Sequence, residues 1–351
     1  MWSSGAGNVL KVLYYSYRKA KKTDAISLLI IVFFAEISNI NKKLHNHHMN
    51  MKFNQIVVLD NVNITDSSMA ELNNYSKEKV RVFDSDPKNS NEIIERLKGG
   101  DCALLSWRTS INKEVLSACK NLKFICLCGT NSNGIDLEEC KKRKIVVSNI
   151  VDYGDEGVVE YTFFQLLSLV RGFGKYSWKE YPAELNGKTI GIIGLGAVGT
   201  LLADAALGFK MKVLYNSRTR KPEWEKRGLI FVDKEELLKK SDFISLQTPK
   251  NVKILDKNDF NLMNEKILIN TTLGMAFEEE DFTDWIKKPN NFVIMDVSQG
   301  ENFYKKVQDF DRVIFSDFIA GRTKESISRL SKKVLESLSL FLAGKPINKI
   351  N

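Results

Sequence analysis

From residue 49 to the C-terminus the chain contains no histidine; its only three, His45, His47 and His48, sit together near the N-terminus. No imidazole is therefore available across the body of the protein to move a proton near neutral pH. The His-x-His-His run is a poor ligand set on its own, and no metal is expected. Cysteine is sparse and odd in number: Cys102, Cys119, Cys126, Cys128 and Cys140, with no Cys-x-x-Cys pair. That excludes a disulfide framework or a zinc ribbon and predicts packed, reduced thiols in a cytoplasmic protein. Long apolar runs are missing as well. The longest, residues 25–35, is too short for a comfortable membrane span, so no membrane partner is expected.

Charge is unevenly spread. The net charge is +9, but residues 1–48 hold seven Lys/Arg against Asp24 and Glu36 and account for +5 of it. The remaining residues carry only +4 with no basic stripe interleaved with aromatics, which argues against a nucleic-acid partner. Residues 1–50 read as an N-terminal extension unlike the rest. A signal-peptide core or an organellar presequence fits its basic start and apolar run. The favoured reading is that Met49 or Met51 is the working start, because the first strand-like run, residues 55–59, follows directly. With 43% hydrophobic and 27% charged residues, the 351-residue chain can bury a sizeable core and has room for two domains.

The most informative stretch is Gly194-x-Gly196-x-x-Gly199. An apolar, strand-length run (residues 189–193) enters it, and a helical pattern through Leu201, Leu202, Ala205 and Ala206 leaves it. Gly194 permits the tight turn, Gly196 lets a pyrophosphate approach the backbone, and Gly199 lets helix and strand pack closely. Free N–H groups at Ala197, Val198 and Gly199, with the helix dipole, suit phosphates. A second strand, residues 212–215, begins after Gly208, which is expected to cap the helix. Where a carboxylate usually holds the adenine ribose, the chain has Asn216, followed by Ser217, Arg218, Thr219, Arg220 and Lys221. Without the acid nothing repels a 2′-phosphate, and Arg218 or Arg220 can pair with it. NADP(H) is therefore favoured, with NAD(H) as the alternative.

Strand-like and helical runs alternate from residue 52 onward, which predicts parallel α/β sheets. The first set of strands lies at residues 55–59, 80–83, 102–105, 122–128 and 144–147. A long helical segment, residues 156–170, leads to a second set at 189–193, 212–215, 243–246, 267–269, 292–295 and 313–315. Asp233 and Glu236 are spaced as a capping box, and the last helix, residues 325–342, closes at Gly344. No internal repeat or low-complexity tract is present.

Several spaced segments together resemble the D-isomer-specific 2-hydroxyacid dehydrogenase family, glyoxylate/hydroxypyruvate reductases in particular, from about residue 54 to residue 346. They are Asn131-Ser132-Asn133-Gly134-Ile135-Asp136-Leu137, the segment from Asn149 to Val158-Val159-Glu160-Tyr161, Ser245-Leu246-Gln247-Thr248-Pro249, Ile269-Asn270-Thr271-Thr272-Leu273-Gly274 and Met295-Asp296-Val297. The resemblance implies two Rossmann-like/flavodoxin-like parallel-sheet domains. A dinucleotide-binding domain (149–320) is inserted into a split substrate domain (51–148 and 321–351), with the active site in the cleft. It implies cofactor contacts at Thr248, Pro249, Thr272 and Asp296, a small-molecule substrate, and a homodimer formed through the cofactor domain.

It also implies hydride transfer between nicotinamide and C2 of a 2-oxo or 2-hydroxy acid, served by an Arg that clamps the carboxylate, a His that supplies the proton and a Glu that holds the His. Here the Arg position is Leu273 and the His position is Phe318, in Ser316-Asp317-Phe318-Ile319-Ala320; the Glu is kept as Glu301. Neither Leu273 nor Phe318 has a donor. A positioned general acid is worth about 10²–10⁴-fold in rate, so the loss matters. Candidate substitutes are Arg108 in the loop after the third strand, Arg322 and Lys324, with Asp317 or Tyr304 as proton carriers. Two readings follow: an oxidoreductase with a rebuilt site taking a more apolar substrate, or a catalytically inactive dinucleotide-binding sensor or dimeric scaffold.

Overall fold

The computed structural model describes residues 51–250 and 252–351, without the side chains of Gln299 and Glu301. The N-terminal extension, its apolar run and its histidines lie outside the described residues.

The first sheet has five strands: β1 (Ile56–Val58), β2 (Arg81–Val82), β3 (Cys102–Leu105), β4 (Phe124–Leu127) and β5 (Val146–Asn149). They lie in the order β2-β1-β3-β4-β5, all parallel. Strands β1, β3 and β4 are buried at every residue, as a sheet covered on both faces requires. Alternate side chains then feed two cores. Val57, Ala103, Leu105, Ile125 and Val147 meet Ile93, Leu97, Val115 and Leu116 from helices Ser90–Leu97 and Lys113–Ala118 on one face. Ile56, Val58, Cys102, Leu104 and Cys126 meet Leu330, Val334 and Leu338 of the C-terminal helix Lys324–Leu342 on the other. Phe341 of that helix stacks on Phe124 with ring centroids 4.3 Å apart. The end of the chain is thus built into the first sheet. All five cysteines are buried and unpaired.

The second sheet has seven strands: β6 (Thr189–Ile193), β7 (Lys212–Asn216), β8 (Ile230–Phe231), β9 (Phe243–Leu246), β10 (Ile267–Asn270), β11 (Phe292–Met295) and β12 (Val313–Phe315). Their order is β12-β11-β10-β9-β6-β7-β8, again all parallel. The long helix Asp155–Arg171 lays Tyr161, Phe163, Leu166, Leu169 and Val170 on one face of it. On the other face Trp285, Phe260, Phe277 and Phe282 form an aromatic cluster. Both sheets are doubly wound, and the fold is the two-domain α/β class that the sequence predicts.

Local details depart from the sequence reading. Strand β8 and the short helix Pro222–Glu225 are absent from it, because at two and four residues neither is long enough to show a period. Helix Ala197–Gly208 ends with Phe209 as its cap, and the left-handed residue is Lys210 (φ 58°), not Gly208. Asp233 accepts from the Glu236 N–H at 2.7 Å, which is one half of the expected capping box.

Candidate active site

In the second sheet the strand order reverses between β6 and β9, so the loops leaving these two strands diverge and open a crevice. The glycine turn occupies that point. Gly194 has φ +101°, and a Cβ there would sit 2.1 Å from the Gln247 carbonyl oxygen. A Cβ on Gly199 would lie 2.2 Å from the Gly194 carbonyl oxygen. These two glycines are demanded by the fold. Gly196 is not: a Cβ there meets nothing within 4 Å. It is the cap of helix Ala197–Gly208 and offers no side-chain hydrogen bond to the first-turn N–H groups. Beside this open cradle, the Thr248 hydroxyl is buried with no hydrogen-bond partner among the described residues. A turn shaped by glycine, free first-turn N–H groups and an orphaned hydroxyl fit the diphosphate of a dinucleotide.

A cleft of about 1030 Å³ runs from this cradle to the first sheet. Gly194, Gly196, Ala197, Val198, Gly199, Asn216, Ser217, Arg218, Thr248, Pro249, Thr272 and Asp296, all expected at the cofactor, line it. Arg220 does not. Its guanidinium grips Glu225 through two hydrogen bonds of 2.7 and 2.6 Å, and Tyr215 donates to the same carboxylate. Those contacts, Arg220's first, pull the Glu225 carboxyl down to about 2. Arg218 is exposed and makes no ion pair among the described residues. Asn216 spends its amide on the Val232 carbonyl at 2.9 Å.

At the far end, Leu273 lines the cleft and Phe318 does not; the Phe318 ring packs edge-on against Tyr161 at 5.9 Å. Asp317 is exposed and lies outside the cleft lining, and Tyr304 is stacked on Phe315 at 4.0 Å. Glu301 opens helix Glu301–Val307, and its side chain lies outside the described residues. Arg108 and Arg322 both line the cleft. Arg108 is committed to Asp86 at 2.9 Å and to the Asn61 carbonyl at 2.7 Å. Among the described residues the Arg322 side chain donates only to the neutral Asn63 amide oxygen, at 2.5 Å.

Sequence reasoning missed three lining groups. Trp107, half-exposed beside Arg108, has the Lys250 ammonium 5.2 Å from its ring centroid, which links the first sheet's loop to the second's across the cleft. Tyr153 and Asp155 line it at the start of the long helix, and burial pushes both groups up. An aromatic next to an arginine in a loop was the available signal for Trp107; the other two carry none. Among the described residues no group of three or more His, Cys, Asp or Glu side chains could hold a metal.

Asp296 organises this end. It is buried, caps the turn after β11 through the Ser298 N–H (2.9 Å), and accepts from the Ala320 N–H at 2.7 Å. Burial raises its carboxyl, and the Ala320 contact opposes that rise. Alongside, the Tyr161 hydroxyl donates to the Met295 carbonyl at 2.7 Å, and burial pushes its phenol up to about 12. An unfolded tyrosine ionises near pH 10. Stability from this group is therefore whole below pH 10 and lost as pH rises toward 12, on the order of 2 kcal/mol. Urea titrations between about pH 9 and about pH 11.5 should show a steeper alkaline loss in wild type than in Tyr161→Phe; equal slopes would refute it.

An open phosphate cradle at the switch point of a doubly wound sheet, facing a second parallel sheet across a cleft, defines a two-domain nucleotide-linked dehydrogenase. The model of the D-isomer specific 2-hydroxyacid dehydrogenase catalytic domain matches residues 56–351, and the chain belongs to that family. A glyoxylate reductase of Thermococcus litoralis is 31% identical over 74% of this chain and 86% of its own length. A hydroxypyruvate reductase of Blautia hydrogenotrophica is 28% identical over 74% and 88%. Among solved structures, an acyclic imino acid reductase in complex with NADPH and D-Arg aligns with a TM-score of 0.73 at 28% identity, covering 85% of this chain and 100% of that one. D-lactate dehydrogenase from Aquifex aeolicus, complexed with NAD and lactic acid, shares the fold at 23% identity and a TM-score of 0.68, covering 83% of this chain and 96% of that one. Family members are oxidoreductases that use a nicotinamide cofactor. Among the described residues no helix is long and apolar enough to cross a membrane.

Proposed function

We propose that the chain is an NADP(H)-linked oxidoreductase acting on a small carboxylate-bearing carbonyl compound, with a substrate end rebuilt from the family pattern. One observation carries this reading: an open phosphate cradle leads into a continuous cleft whose far end has cations and an apolar wall but, among the described residues, no imidazole. The cofactor supplies a hydride when bound. The chain's part is to seat the diphosphate at Gly194–Gly199, to meet the adenine ribose with Asn216 and its 2′-phosphate with Arg218, and to hold the substrate against the opposite wall. Residues 51–148 and 321–351 make up the substrate half and 149–320 the cofactor half. A cytoplasmic homodimer suits the reduced, buried cysteines and the exposed Phe164 and Phe209 on the cofactor-side helices.

A second substrate chemistry follows from the missing acid. A ketone needs a proton as the hydride arrives, whereas a protonated imine already carries its own. The imino acid reductase among the structural neighbours makes that class the favoured refinement, a 2-imino acid in place of a 2-oxo acid. The test is NADPH consumption with a panel of 2-oxo acids, including branched and aromatic ones, with and without ammonia or methylamine. Turnover that requires the amine identifies the imine; turnover without it identifies the carbonyl. No turnover from folded protein that binds NADPH defeats both.

A further inference from the structure

The family's carboxylate clamp is missing at Leu273, yet the cleft still holds a guanidinium with capacity to spare. Arg322 follows Gly321 where the chain crosses back toward the first sheet. That crossing is close: a Cβ on Gly321 would lie 2.9 Å from the Gly154 carbonyl oxygen, so the two crossing segments run in backbone contact. The Arg322 N–H closes a turn onto the Ile319 carbonyl at 2.9 Å. Its side chain reaches the cleft wall and donates to Asn63 Oδ1. Asn63 is fixed in turn, in a left-handed conformation (φ 54°), by its own N–H donating to Asn61 Oδ1 at 3.0 Å.

We infer that Arg322, aimed by Asn63, is the seat of the substrate's carboxylate, taking over from the position now occupied by Leu273. The assignment rests on the oxidoreductase reading above. Two guanidiniums and the Lys250 ammonium over Trp107 line this end; only a guanidinium offers a planar fork to a carboxylate, and the partners of the two decide between them. Arg108 faces a full negative charge on Asp86 at 2.9 Å, so an incoming carboxylate would have to share an already neutralised group. Arg322 makes no ion pair among the described residues; its one side-chain partner is a neutral amide, which orients a guanidinium without cancelling its charge. A guanidinium has five N–H donors, so most of its fork is left for a planar bidentate anion. The carboxylate thus enters from the segment after Phe318, on the first-sheet side, instead of from the loop after β10.

Oxamate, an unreactive 2-oxo acid mimic, tests this without requiring turnover. Calorimetric titration of the full chain, with and without saturating NADPH, should show Arg322→Leu weakening oxamate at least about tenfold while NADPH affinity holds. Arg322→Lys should recover part of that loss, since a point charge replaces the fork. Lys324→Gln, two residues on and outside the cleft lining, should match wild type. The assignment is overturned if Arg322→Leu binds oxamate like wild type, if NADPH affinity falls in parallel, if Arg108→Gln alone carries the loss, or if wild type takes up no oxamate at millimolar concentration. Arg322-dependent oxamate binding without any hydride transfer would defeat the oxidoreductase reading and leave the seat standing. Turnover indifferent to Arg322 would do the reverse.

Discussion

Gly196→Ala should leave the protein as stable as wild type and strip it of its cofactor, while Gly194→Ala should damage both. The two positions are two residues apart and receive the same methyl group. At Gly196 the added Cβ points into open space, at φ −90°, which any residue adopts. Stability should stay within about 0.5 kcal/mol of wild type. The methyl then occupies the volume through which a diphosphate must reach the first-turn N–H groups, and the overlap should weaken NADPH by about 10–100-fold. At Gly194 the Cβ would lie 2.1 Å from the Gln247 carbonyl oxygen, and the residue is held at φ +101°. Left-handed strain and overpacking, about 1–3 kcal/mol each, should lower Tm by several degrees. Thermal melts and NADPH titrations of the two variants are the check. Equal Tm losses would mean that the cradle is not open as described.

Asn216→Asp should exchange the cofactors. The side chain stands at the end of β7 on the cleft wall, with Arg218 exposed two residues on and no carboxylate lining that wall nearby. A carboxylate at position 216 accepts two ribose hydroxyls and repels a 2′-phosphate. NADPH should weaken by about 10–100-fold and NADH tighten by about tenfold. Arg218→Ala should weaken NADPH with little effect on NADH, and Arg220→Ala should act mainly on stability, because Arg220 serves Glu225. If neither Asn216→Asp nor Arg218→Ala shifts the ratio of the two affinities, the preference for NADP(H) falls.

Much of this was legible because the sequence carries it in short periods. The buried strands read as apolar runs, and Gly194-x-Gly196-x-x-Gly199 pointed to the cradle because an apolar run enters it and a helical pattern leaves it. The absence of histidine after residue 48 needed only a count. What the sequence hid depends on partners far along the chain. Arg220 and Arg218 look alike in a basic loop, and only the fold brings Glu225 under one of them. Arg108 and Arg322 were equivalent as candidates until Asp86 and Asn63 distinguished them, across separations of 22 and 259 residues. Asp317 was a candidate proton carrier, yet its turn leaves it exposed and outside the cleft lining. Asp296, one residue beyond an apolar strand, gave no hint that it ties β11 to the segment bearing Phe318 and Arg322.

The most direct test of the central claim is transfer of a label. NADPH carrying deuterium at the reactive nicotinamide carbon is incubated with the protein and the 2-oxo acid panel, with and without ammonia, and products are read by mass spectrometry. The account predicts a 2-hydroxy or 2-amino acid carrying one deuterium on C2, with label transfer reduced in Arg322→Leu. Unlabelled panel compounds returned intact by folded, NADPH-binding protein would contradict it and identify the chain as a dinucleotide sensor or scaffold in place of an oxidoreductase.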